Sequence, residues 1–277
     1  RFGHSRHISI GTAIRLAADI IVLLGGYFIG NIPGIVVACS AVIAGVVSEA
    51  IYIGIVVRPV LQQELRPAPL IPEALTTRAF AAFYLPLVMT SLLSFLSSPI
   101  SSAALSRMPL PIESLAAWPA VSGLIFVLRS PGIAYNEVVV ALLEKAGSYQ
   151  ALRRFAITLG VITSGIVLLY TATPLSAFWF QRVTALQPQL ASLAQQTMWF
   201  GLPLPALATA QSWFQGRLLH SRKTRAISEA VFIYLIITSL IFIAGILWGK
   251  TTGLFIGIAG LAISSLAQTA WLGLRVR

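Results

Sequence analysis

The chain has 277 residues, with Lys+Arg 19, Asp+Glu 8 and a formal net charge of +11. Apolar residues make up 57% and charged residues 10%. That is too little charge to coat a water-soluble fold and too much apolar surface for a disordered chain. A single cysteine, Cys39, excludes an internal disulfide framework and a cysteine-rich metal site. The remaining class is an all-α polytopic membrane protein.

A bilayer core needs about 20 mostly apolar residues per crossing helix. Eight stretches meet this in chain order: 10–30, 33–57, 79–104, 112–143, 154–173, 194–216, 227–248 and 252–274. The first is too close to the polar start, and too well flanked by others, to read as a cleaved signal peptide. Counted by loop parity, fourteen Lys and Arg fall on one side, and only Arg107, Arg182 and Lys250 on the other. The positive-inside rule assigns the first set to the cytoplasm, with the loops near 58–78, 144–154 and 217–226 and the C-terminus. Basic loops of this kind imply anionic lipids at the cytoplasmic face as a partner, and no nucleic acid.

The chain matches itself at a register of 219 residues. Arg6, Ile8 and Ser9 fall on Arg225, Ile227 and Ser228, and Gly26, Gly30 and Gly34 on Gly245, Gly249 and Gly253. Gly54 and Arg58 fall on Gly273 and Arg277, among eleven identities in 58 ungapped positions. Glu49 meets Gln268, and Tyr52 meets Trp271. A duplicated unit is the expectation. Residues 1–58 would be the last helical hairpin of an N-terminal lobe, 59–78 a cytoplasmic linker rich in Pro, and 79–277 a six-helix C-terminal lobe. Both copies end on the same side, so they are parallel repeats. A first copy of full length needs about 160 further residues with four helices ahead of Arg1, giving twelve helices in all.

Three stretches carry a family resemblance. They are Phe83-Tyr84-Leu85-Pro86-Leu87 with Thr90; Arg129-Ser130-Pro131 through Tyr135 and Glu137; and Phe200-Gly201-Leu202-Pro203-Leu204-Pro205, followed by Gly216 and His220-Ser221-Arg222-Lys223-Thr224. With them the chain resembles the multidrug/oligosaccharidyl-lipid/polysaccharide exporter superfamily, which includes the MATE transporters. Within it, the chain is most similar to bacterial members like the progressive ankylosis protein. The resemblance implies a twelve-helix alternating-access carrier in a bacterial inner membrane, and it favours an anionic substrate. The acidic residue that the family carries in its first helix has no position here. The carboxylate that some relatives use for cation binding in the C-lobe has no secure counterpart.

Charge inside a membrane is costly and points to function or to pairing. Glu49 lies about 12 Å along its helix from the cytoplasmic end. It would bind a proton or cation, pair with Arg129, or be a packed neutral group matched by Gln268. Arg129 sits near the middle of a long span, just before Pro131 and Gly132, where a kinked or unwound helix is expected. Its roles are an anion site or a structural ion pair. Glu137, about 12 Å further on, reads as a gate or surface group, or as a ligand. Arg15 and Asp19 are four residues apart and suit a local ion pair. Glu229 reads as a charge at a helix N-terminus. Pro203 and Pro205 interrupt the sixth span. Ser97, Ser98, Ser101 and Ser102 read as a polar path or as ordinary helix contacts.

His4, His7 and His220 have no metal-ligand spacing, and no glycine-rich phosphate loop precedes a Lys-Ser/Thr. An enzyme is therefore not expected, nor a cofactor or metal. The leading expectation is a secondary-active transporter or exporter of a small, anionic solute, with H+ or Na+ as candidate coupling ion. Arg129, Glu49 and Glu137 are its binding candidates. The alternatives are a flippase for a lipid-linked substrate and a non-transporting membrane scaffold.

Overall fold

The computed structural model describes residues 5–65, 76–143, 147–221 and 225–276. Of the expected linker, residues 66–75 lie outside these, as do Lys145, Arg222, Lys223 and Arg277. The described residues are helical nearly throughout, with no strand among them. Six of their helices are long and apolar enough to cross a membrane, as in an integral membrane protein. The chain divides into two compact units, Arg1–Thr76 and Thr77–Arg277.

The first unit is a hairpin of α1 (Ser5–Ile29) and α2 (Gly34–Val60), ending in a π-helical turn, Leu61–Leu65. Its bend is made by Gly30 at φ +72°, whose N–H donates to the Gly26 carbonyl at 3.2 Å. A left-handed residue of this kind closes a helix C-terminus without a Cβ penalty. Gly26 itself lies hard against Val37, whose side chain takes the space a Cβ at position 26 would need.

The second unit contains α3 (Thr77–Leu105), α4 (Pro111–Leu142), α5 (Ser148–Ala172), α6 (Leu175–Phe178), α7 (Pro188–Gly201), α8 (Leu204–His220), α9 (Arg225–Trp248) and α10 (Gly253–Val276). The last two form a hairpin built like the first unit. Gly249, at φ +60°, donates its N–H to the Gly245 carbonyl at 3.1 Å, and Gly245 lies against Ile256. Each of these residues is 219 positions beyond its counterpart in the first hairpin. The two segments that match in sequence therefore share one turn geometry.

The centre of the second unit is α4 against α8, with α5, α7 and α10 packed around them. Along this contact Gly132 meets Pro205 and Thr209, Asn136 meets Gln215, and Val139 meets Gly216, so the two helices run parallel. Small residues permit the approach: a Cβ at Gly132 would lie 2.6 Å from the Thr209 hydroxyl. A tightly packed apolar layer, including Val121, Ile125, Phe180, Met198, Leu204 and Ile258, fills the space between α4, α7 and α10.

Of the two breaks expected at prolines, the one in α4 is corrected and the one in the sixth span is present. α4 runs unbroken through Pro131 and Gly132. The sixth span is divided at Leu202-Pro203 into α7 and α8. Pro203 and Pro205 remove two donors within one turn, whereas the two prolines inside α4, Pro119 and Pro131, are about three turns apart and the loss at Pro131 is repaired locally. Between α5 and α7 the chain also forms α6 and a π-helical turn, Trp179–Val183, which carries the fully buried Phe180.

The α4–α8 contact predicts the behaviour of two glycine variants. A Cβ at Gly216 would lie 2.5 Å from a Val139 methyl, whereas one at Gly165 would meet nothing within 4 Å. Gly216→Leu should cost about 1–3 kcal/mol by overpacking and lower the melting temperature in detergent. Gly165→Ala should leave it unchanged or raised.

Candidate functional site

In the first unit, His7, Gly11, Arg15 and Asp19 recur every fourth residue and so share one face of α1. Opposite them on α2 stand Tyr52, Glu49 and Gly45. His7 Nδ1 and the Tyr52 hydroxyl are 3.0 Å apart, and Arg15 Nη1 lies 3.6 Å from Glu49 Oε2. Gly11 makes room for this pair: a Cβ there would lie 3.6 Å from the Glu49 carboxylate. Asp19 abuts Gly45, and its Oδ1 is buried with no hydrogen-bond partner. The local Arg15–Asp19 pair expected from spacing does not form. The close approach at Gly45 shuts over Asp19, while Glu49, one turn along α2, comes opposite Arg15.

The matching face of the α9–α10 hairpin has no charges. At the register of 219, Arg15, Asp19, Gly45 and Glu49 become Tyr234, Thr238, Ser264 and Gln268. The geometry of the turn is kept, and at these matched positions the ionic groups are found only in the first hairpin.

In the second unit, Arg129 is half-buried on α4, and its Nε is buried without a hydrogen-bond partner. Tyr234 of α9 lies within electrostatic range of the guanidinium. The parallel register puts Arg129 at the depth of the α7–α8 break, because Gly132, one turn later, already meets Pro205. Pro131 cannot donate to the Val127 carbonyl, and the Ser130 hydroxyl does so in its place at 2.8 Å. This is why the helix continues through the proline. At the break, the Ala206 N–H in the first turn of α8 donates to Ser164 Oγ of α5 at 3.2 Å. Glu137 is exposed on α4, with no ion pair among the described residues.

Other polar candidates are bound up in the fold. Gln211 donates to the Ser265 carbonyl and the Thr269 hydroxyl of α10, at 3.0 and 3.1 Å. Ser212 donates to the Ile133 carbonyl of α4, and Ser101 to the Ser97 carbonyl one turn before it. Glu229 is not only a helix N-terminal charge. It bridges Arg225, at 3.2 Å, and Arg275 of α10, at 2.7 Å.

A groove that span-by-span reading does not reveal runs between α5 and α8. Its volume is about 1090 Å³. Gly160, Val161, Gly165 and Leu168 form one wall, and Ala206, Ala210 and Phe214 the other. At one end stand Arg153, Arg217, Tyr149 and Trp213. The Arg217 guanidinium lies 5.1 Å from the Tyr149 ring centre and 5.7 Å from that of Trp213. The sequence signal for this end was the i,i+4 pair Trp213 and Arg217 on α8, facing the start of α5.

No protein-family model matches the chain, and no significant similarity to a curated protein or a solved structure is found.

The repair at Pro131 predicts a coupled pair of variants. Ser130→Ala should destabilise by about 0.5–1 kcal/mol in thermal unfolding, as one membrane-embedded hydrogen bond is lost. In a Pro131→Ala background the same change should cost less, because an amide N–H is again present. A double-mutant cycle reads the difference.

Proposed function

We propose that the chain belongs to a secondary-active transporter of the MATE-like exporter type, moving a small anionic solute by alternating access between two six-helix lobes. The observation that carries this reading is Arg129: a guanidinium within a membrane-spanning helix, with an unpartnered buried Nε, level with the one break in a core helix among the described residues. An intramembrane charge beside discontinuous helix is how carriers offer a site without a water-filled pore. Two hairpins with the same turn at a 219-residue register support the two-lobe arrangement.

In this reading Arg129 holds the anion. The Arg15–Glu49 pair is the coupling element. A proton or Na+ on Glu49 would neutralise its carboxylate and release Arg15, which changes the cost of burying both groups. Glu137, exposed on the same helix as Arg129, is the gate. Drive by an ion gradient, or by the substrate's own, needs no nucleotide-binding domain, in keeping with a sequence that holds no phosphate loop before a Lys-Ser/Thr.

The test is uptake of a panel of labelled inorganic and organic anions by membrane vesicles expressing the complete gene, with imposed H+ or Na+ gradients. At least one anion should accumulate, and Arg129→Ala should reduce its uptake tenfold or more, by roughly 1.4 kcal/mol or greater at the site. Glu49→Gln should leave anion binding and abolish the dependence on the ion gradient. Unchanged flux in both variants, at equal protein level, would sink the site assignment. No flux for any anion in the panel would favour the scaffold reading.

A further inference from the structure

The α5–α8 groove is cationic and aromatic at one end and apolar along the rest. From this we infer that it binds one anionic phospholipid, with the phosphate on Arg153 and Arg217 and an acyl chain between the helices. The inference does not depend on transport. It turns a general attraction of basic loops for an acidic leaflet into a single built site.

Charge complementarity selects the head group. Among the described residues neither Arg153 nor Arg217 has a carboxylate partner. Arg217 is stacked on Tyr149 and Trp213, which fixes the plane of its guanidinium before any ligand arrives. A phosphodiester accepts two parallel N–H bonds from such a group, which a zwitterionic head group offers only alongside its own ammonium. The positive-inside count puts this end at the cytoplasmic side, the leaflet where anionic lipids concentrate.

The apolar part selects a chain rather than a free anion. From Ala156 to Leu168 the groove follows α5 for about 18 Å, against about 15 Å for the hydrocarbon of one leaflet. Glycines at 160 and 165 keep it open, and a Cβ at Gly165 would meet nothing within 4 Å. Ile157 and Val161 at its edge are 58% and 67% exposed, so the groove opens sideways, where lipid enters from the bilayer. A solute arriving from water would meet this apolar flank with nothing to bond.

The full-length protein, purified in mild detergent, is examined by native mass spectrometry with phosphatidylglycerol and phosphatidylcholine of identical acyl chains. One phosphatidylglycerol should be retained per protein, and phosphatidylcholine should compete roughly tenfold less well. The double variant Arg153→Gln, Arg217→Gln should remove that preference. Gly165→Leu, which adds a side chain to the groove where a Cβ meets nothing within 4 Å, should lower retention of both lipids and leave the melting temperature of the lipid-free protein intact. Equal retention of the two lipids by the unaltered protein would overturn the site. So would phosphatidylglycerol retention that neither variant changes. Displacement of phosphatidylglycerol by millimolar inorganic phosphate, insensitive to Gly165→Leu, would assign the arginines to a free anion and overturn the lipid.

Discussion

The constraint on which the second unit depends is that hydrocarbon offers no hydrogen bonds. Every backbone N–H and C=O that a proline or a helix end sets free must be met from within the protein. The hydroxyls do this. Ser130 serves the carbonyl abandoned by Pro131, and Ser164 receives the Ala206 N–H across from α5. Thr209 and the buried Tyr135 add bonds to the Pro205 and Leu152 carbonyls inside α8 and α5, at 3.0 and 2.7 Å. Serine and threonine near the prolines are therefore structural groups first. The break at Leu202-Pro203 persists because its loose ends have partners, whereas α4 stays helical through both Pro119 and Pro131, with the Ser130 hydroxyl serving the carbonyl freed at Pro131.

This explains which parts of the architecture could be read from the sequence. Apolar run length located the long helices, since a 30 Å core sets their length whatever their side chains do. The glycine pattern located the two hairpin turns, because Gly30 and Gly249 both adopt positive φ, where other residues are strained. Proline content alone could not locate the break. Pro131 followed by Gly132 looked as disruptive as Pro203 and Pro205, and the difference lay in a serine hydroxyl and in the packing of Gly132 on Thr209. The short α6 and its π-helical turn were equally hidden, because Phe178, Trp179 and Phe180 look like interfacial loop residues until Phe180 is seen in the core.

The site residues divide in the same way. Glu49 and Arg129 stood out as candidates because a charge within an apolar run is conspicuous by itself. Their partners did not, because partners are set by helix facing. Spacing put Arg15 with Asp19, and the approach at Gly45 gave Arg15 to Glu49 instead. The groove was least legible, since its walls are ordinary apolar residues and it exists only where two antiparallel helices diverge. Comparison of the two hairpins adds a point that neither carries alone. One scaffold is used twice, with ionic groups at Arg15, Asp19 and Glu49 in the first and neutral ones at Tyr234, Thr238 and Gln268 in the second. What the two hairpins share is the turn and the close contact beside it, and the charges at these positions belong to the first alone.

Arg217, seated on Tyr149 and Trp213, also bears on how the bundle meets bilayers of different thickness. A guanidinium with two aromatic rings belongs at head-group depth, and these three residues come from the start of α5 and the end of α8. In a bilayer, these groups favour keeping that end at one interface. A thicker or thinner membrane then has to be matched at the other end of α5, where α6 and the π-helical turn follow. Phe180 ties this short segment to the core, so the accommodation of mismatch falls on its exposed side chains, Leu175, Phe178 and Val183, rather than on movement of the helix.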